Sequence, residues 1–352
     1  MKERYDSLRR ETWDMPDGKQ KLALLEESIL IADHYLTVED AFDARMHYLR
    51  YTSVCGCPER MFIPFAWCLA KFEKDPSKHS SFDILWYYKW VISRALCIPQ
   101  IDLEKLEQLL EDFKGKCLLY HYSLRSYYKL QVSYLLHQGK SKEAAVYYKQ
   151  WRSAPRDSLS DCRACEQNAF GHYYFEMNQN KRGMTAIKPI LDGGMSCQSI
   201  PQNTYSIMIY PLLKLGEYGD AVKTAGKAIQ SLRGPQYLDE YSILLQFYAV
   251  TDIDKAVKLY ERTIRLGLDS KIHWDKMNYL IAVRFFLRQW SQKKRRKKLP
   301  ESDIVTLPWL DNEIEKLSFL FNERNGNDYA STRISSLEKS FSKLLMAYNK
   351  TK

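Results

Sequence analysis

The chain has 352 residues, 45% hydrophobic and 13% aromatic, with a net charge of +10. That apolar content is enough to close a core and excludes wholesale disorder. No run approaches the roughly 18 apolar residues of a membrane span, and the longest candidate, NYLIAVRFFL at 278–287, is interrupted by Arg284.

Residues 1–18, MKERYDSLRRETWDMPDG, are charged and have no apolar signal core, so they are expected to be a poorly packed lead-in. With eight dilute cysteines and no export signal, the expected setting is a cytoplasm with reduced thiols. Residues 19–292 read as an array of helix–turn–helix units. Degenerate copies are expected at 53–76, with Met61 in the small-residue place and Pro76 closing the unit, and at 98–113. Four further copies align: LLHQGKSKEAAVYYKQW (135–151), EMNQNKRGMTAIKPIL (176–191), LLKLGEYGDAVKTAGKAI (212–229) and YAVTDIDKAVKLYERTI (248–264). Their small residues, Ala144, Gly183, Ala221 and Ala256, recur in steps of 39, 38 and 35. A period near this length, with a small residue where two helices approach, is the signature of a tetratricopeptide-type solenoid. Runs of alternating β-branched residues are missing. The expected fold is all-α, a TPR-like α–α solenoid of about 5–6 degenerate repeats. HWDKMNYLIAVRFFLRQW (273–290) is its closing helix, 293–300 a basic loop, and 301–352 two capping helices.

SDCRACEQ (160–167) and Cys197 pose the main chemical question. Asp161 is placed to cap a helix beginning at Cys162, which puts Cys162 and Cys165 on one face of its first turn. There the helix dipole favours thiolate. A stack of antiparallel helix pairs returns the chain to the same edge by residues 193–202, so Cys197 is expected beside them. Zinc would want a fourth ligand. His172 is roughly 15 Å along the helix, too far to serve. Gln202 is in the right place, but an amide is a poor zinc ligand. Asp157 or Asp161 could substitute, or the position could be open. The competing readings are a structural zinc, inert or occasionally oxidised thiols, and a catalytic thiol or zinc. Cys55 and Cys57, in a tight CGC turn, point less to metal.

Several phrases carry a resemblance: AWCLAKFEKDP (66–76), DILWYYKWV (83–91), PRDSLSDCRACE (155–166), CQSIPQNTY (197–205), YPLLKLG (210–216) and FNERNGND (321–328). They resemble a large, poorly characterised bacterial family of tetratricopeptide-like proteins, and span nearly the whole chain. The resemblance implies a cytoplasmic helical-repeat protein and supplies no activity. The family pattern commonly has a His where this chain has Gln202.

DILWYYKWV and SLRSYYKLQVSYLLHQ (123–138) fall on first helices of repeats, which line the concave side of a solenoid. Arg125, Tyr128, Lys129 and Tyr134, with His172 and Tyr205, are the candidate ligand groove, suited to an acidic peptide or a carboxylate terminus. Aromatics at helical spacing are also ordinary inter-helix core. The basic run Lys293, Lys294, Arg295, Arg296, Lys297 and Lys298 is either a solvated loop or a patch for nucleic acid, an acidic protein or an anionic membrane surface. Nucleic-acid binding by it would be non-specific and salt-labile, because no reading motif accompanies it. Walker, Rossmann, nucleophile-elbow and paired-histidine motifs are missing, which argues against an enzyme. The expected function is a non-catalytic scaffold or adaptor binding a protein or peptide. The alternatives are a peptide-responsive regulator, resembling quorum-sensing tetratricopeptide proteins but without their N-terminal effector module, and a nucleic-acid-associated factor.

Overall fold

The computed structural model describes residues 1–292 and 298–351, and among them every regular element is helical. The chain divides into two compact units, Met1–Ser160 with Gly234–Gln236 and Ser270–Ile272, and Asp161–Arg233 with Tyr237–Asp269 and His273–Lys352. No helix among the described residues is long and apolar enough to cross a membrane.

The first unit holds α1 (Lys2–Asp14), α2 (Lys19–Tyr35), α3 (Val38–Thr52), α4 (Phe62–Lys74), α5 (Ser81–Ala95), α6 (Leu103–Leu119), α7 (Arg125–His137) and α8 (Ser141–Ser153). Local chemistry sets their starts. Thr37 and Asp40 form a reciprocal capping box before α3, and Ser80 and Asp102 accept from first-turn amides of α5 and α6. The expected lead-in is instead α1, which packs on α2. Tyr5, Leu8 and Thr12, at i, i+3 and i+7, form a buried stripe, while Arg4 grips Glu27 at 2.9 Å. The main core gathers Leu85, Tyr88, Ile92, Leu106, Phe113 and Tyr127 between α5, α6 and α7.

The second unit holds α9 (Arg163–Glu176), α10 (Asn180–Leu191), α11 (Gln202–Ile207), α12 (Ile209–Leu215), α13 (Tyr218–Ser231), α14 (Leu238–Thr251), α15 (Ile253–Asp269), α16 (His273–Gln292), α17 (Leu307–Asn325) and α18 (Tyr329–Lys350). Successive helices pair, α9 with α10, α12 with α13 and α14 with α15, and pairs stack through α10 on α12, α11 on α14 and α14 on α16. The small residues sit where the period places them. Ala144, Ala221 and Ala256 are fully buried, and a Cβ on Gly183 would lie 2.2 Å from Phe175 Cε1. Three of the turns ahead of them use a left-handed residue, Gly139, Asn178 and Gly216. In the fourth, Asp252 instead accepts from the Lys255 amide. Here the chain forms two short helices, α11 and α12. Pro211 supplies the reason, because it has no N–H for the carbonyl of Ile207, where α11 stops.

α17 packs on α16, and α18 on α17. α18 does more than cover the last pair, because it also lies against α12 and α14.

Candidate functional site

Three thiols converge in the second unit. Cys162 is exposed and is itself the N-cap of α9, its Sγ accepting from the Cys165 N–H at 3.3 Å. The helix therefore begins at Arg163, one residue later than expected, with a sulfur in the capping role given to Asp161. Cys165 follows one turn on. Cys197 stands in the loop between α10 and α11, a loop closed by reciprocal backbone bonds. Cys197 N–H donates to the Ile200 carbonyl at 3.0 Å, and Ile200 N–H returns to Cys197 at 3.3 Å. Ile200 is buried with Ala164 and Ile190, and Cys165 and Cys197 pack over that floor.

The Cys165 and Cys197 sulfurs are 3.4 Å apart, and all three lie within 4.8 Å of one another. Sulfurs sharing a tetrahedral zinc at about 2.3 Å would stand about 3.8 Å apart. The donor set and its spacing therefore fit a thiophilic ion. Burial pushes the Cys162 thiol up, but the Cys165 backbone N–H leads a set of hydrogen bonds that outweighs it, and the net shift is downward. Cys165 is raised, first by burial and then by its two thiol neighbours.

Among the described residues no His, Asp or Glu joins the three. His172 is half-exposed and 3.8 Å from Glu176. Asp157, a candidate fourth ligand, is committed elsewhere. Its Oδ2 accepts from Ser123 N–H at 2.6 Å, and its Oδ1 accepts from the amides of Leu159 and Ser160, both at 3.1 Å. The PRDSLS phrase is thus a self-tied loop of the first unit. Gln202 opens α11, and its Oε1 is buried without a hydrogen-bond partner. Cys55 and Cys57 are buried, and Cys55 Sγ accepts from Gly18 N–H at 3.1 Å. Burial pushes the Cys68 and Cys117 thiols up to about 12.

Of the expected groove, Arg125, Tyr128, Lys129 and Tyr134 belong to α7 in the first unit. Arg125 is buried, and its Nη1 donates to the Ala154 carbonyl at 2.5 Å. Tyr134 is buried, and its hydroxyl donates to Glu107 at 2.8 Å. Tyr128 is half-buried in a ring cluster with Tyr127 and Tyr147, and Lys129 is half-buried. His172 and Tyr205 belong to the second unit, where Lys227 Nζ lies 5.7 Å from the Tyr205 ring. Lys293, Lys294, Arg295, Arg296 and Lys297 lie outside the described residues. Lys298 is exposed and pairs with Asp303 at 2.9 Å.

Two arrangements carried no sequence signal. Cys97 Sγ lies 3.7 Å from His137 Nε2 across 40 residues. His137 Nδ1 lies 2.8 Å from the Ser133 carbonyl and donates to it. The second is the bed of α18. Glu338 meets Arg284 at 2.7 Å, Phe341 stacks on Tyr210 of α12 at 3.9 Å, and Tyr348 lies 6.4 Å from Phe247 of α14. No protein-family model matches the chain, and no curated protein matches it.

Proposed function

We propose that the chain is a non-catalytic helical-repeat scaffold, a TPR-like α–α solenoid of a bacterial cytoplasm, which binds a protein or peptide partner on the face lined by the first helices of its pairs. The observation that carries this reading is α18, an amphipathic helix resting on α12, α14 and α16 through aromatic stacking and a buried guanidinium. A face that accepts one helix has the shape and chemistry of helix-in-groove recognition. The stacking of α10 on α12 and of α14 on α16 supports the solenoid reading.

In the same reading Cys162, Cys165 and Cys197 hold a structural zinc. When bound, the ion would supply a cross-link between the first turn of α9 and the loop before α11, tying one helix pair to the next. The residues themselves already shape that cradle, through the Cys162 cap and the closed loop at Cys197.

The test is capture from an extract of the native host by immobilised protein, at about 0.15 M and about 0.5 M salt. A protein retained at both, and retained at least as well by Phe341→Ala/Tyr348→Ala, which loosens α18 from this face, is the expected outcome. Retention of nucleic acid alone, lost at the higher salt, would replace this reading with one based on the basic run.

A further inference from the structure

α18 is a weak helix by its own composition. Its first eight residues, YASTRISS, include four Ser or Thr, and its first amides are held not by Asp328 but by Asn327 and by Asn322 of α17, at 3.0 and 2.9 Å. Its order comes from what it touches. Ala330, Ile334, Phe341, Leu345 and Tyr348 form one buried stripe. On α16, Arg333 donates to Asn278 Oδ1 at 2.9 Å, and Glu338 accepts from Arg284 Nε and Nη2 at 3.0 and 2.7 Å. Arg288 stands 3.6 Å from the same carboxylate. Phe341 stacks on Tyr210 of α12 at an interplanar angle of 17°, and Tyr348 lies 6.0 Å from Tyr218 and 6.4 Å from Phe247.

The receiving groups have anchors besides α18. The Tyr210 hydroxyl donates to Gln246 of α14. Arg284 Nη1 is held by Asp311 of α17 at 2.8 Å. They can therefore hold their positions with α18 away. A preorganised face and a helix that is ordered by docking are the two halves of a helix-in-groove complex.

We infer that the face of α12, α14 and α16 is a helix-binding groove whose built-in occupant is α18. The external partner, resting on the scaffold reading above, is then an amphipathic helix of matching pattern. It carries a carboxylate, an aromatic three residues later for the Tyr210 stack, and a second aromatic seven residues after that. A short tether from Gly326 to Asp328 keeps α18 at high local concentration, so the partner must compete with it.

The probe is a labelled synthetic peptide of residues 329–350, added to the full chain. Expected is binding at least about tenfold tighter to Phe341→Ala/Tyr348→Ala, whose own α18 is loosened, than to the wild-type chain. Adding Arg288→Glu to that variant should weaken binding of the wild-type peptide, and a peptide carrying Glu338→Gln, which has no charge for the introduced carboxylate to repel, should lose less between the two chains. Equal binding to both chains, no binding to either, or equal loss for the two peptides would overturn the inference. Hydrogen exchange on the unaltered protein gives an independent reading, with α18 amides expected to exchange at least about tenfold faster than those of α14 and α16. Exchange as slow as theirs would overturn the displaceable helix while leaving the scaffold reading intact. Peptide binding in the loosened variant, with no partner captured from extract, would do the reverse.

Discussion

At the scale of single residues, sulfur and imidazole make the sharpest predictions. Cys165 is the inner member of the thiol trio, 3.4 Å from Cys197. Cys165→Ser should lower bound zinc from about one equivalent per chain to below about a tenth, measured by elemental analysis after removal of loosely held metal. Equal zinc in the two proteins would remove the site. His47, half-buried in α3, is pushed down to about 4, first by burial and then by Arg9, Arg50 and Lys21. An unfolded histidine titrates near 6.5, so the unfolded chain binds this proton more readily and the folded state loses stability as pH falls from about 6.5 to about 4. Allowing for solvent screening, the loss is roughly 1–2 kcal/mol. Subtracting the melting curve of His47→Gln from that of the wild type should isolate a slope in that window, and a flat difference would contradict it. The trio was readable in the sequence because Asp-Cys-x-x-Cys sets a spacing, and the return of an antiparallel pair sets where Cys197 lies. The identity of the cap was not, since a thiol and a carboxylate can each accept a first-turn amide.

Elements obey packing before propensity, and glycine shows the difference. Gly267 in α15 faces Tyr279, where an added Cβ would lie 2.1 Å from Cδ1. Tyr279 is fully buried, and its hydroxyl is 2.7 Å from Thr263 Oγ1, so it has little room to yield. Gly267→Ala should cost roughly 1–3 kcal/mol. Gly226 in α13 has open space around it, and Gly226→Ala should gain about 0.5–1 kcal/mol from helix propensity alone. Opposite shifts in melting temperature are the expected result, and shifts of the same sign would refute the packing argument. Four helix pairs were legible because each writes a turn and, four or five residues on, a small residue. α1 was not, since three buried residues among ten exposed or half-exposed ones leave a faint stripe. The bed of α18 was illegible for another reason. A stripe reveals that a face is buried, but not which distant helices bury it.

For the molecule as a whole, the two units separate what metal can influence. The three cysteines belong to Asp161–Arg233 in the second unit. Chelation should raise amide exchange in α9 and in residues 193–202, and leave α2 through α5 of the first unit unchanged. Acceleration throughout the chain would mean that the ion supports global folding rather than one local fastening. The all-helical class was fully readable from periodicity. The division into two units was not, because the two short stretches that join the first unit, Gly234–Gln236 and Ser270–Ile272, lie far along the chain and carry no mark of their destination.

The pairing of α9 with α10 has a consequence for how this sequence can drift. Gly171 on α9 leaves a hollow in which an added Cβ would meet Ile187 Cγ2 at 2.3 Å, and Gly183 on α10 leaves the mirror hollow for Phe175. Each helix lends the other a gap and fills one in return. A methyl gained at 171 or 183 is tolerable only if the opposing side chain shrinks as well, so these positions are free to change in step and closed to change alone.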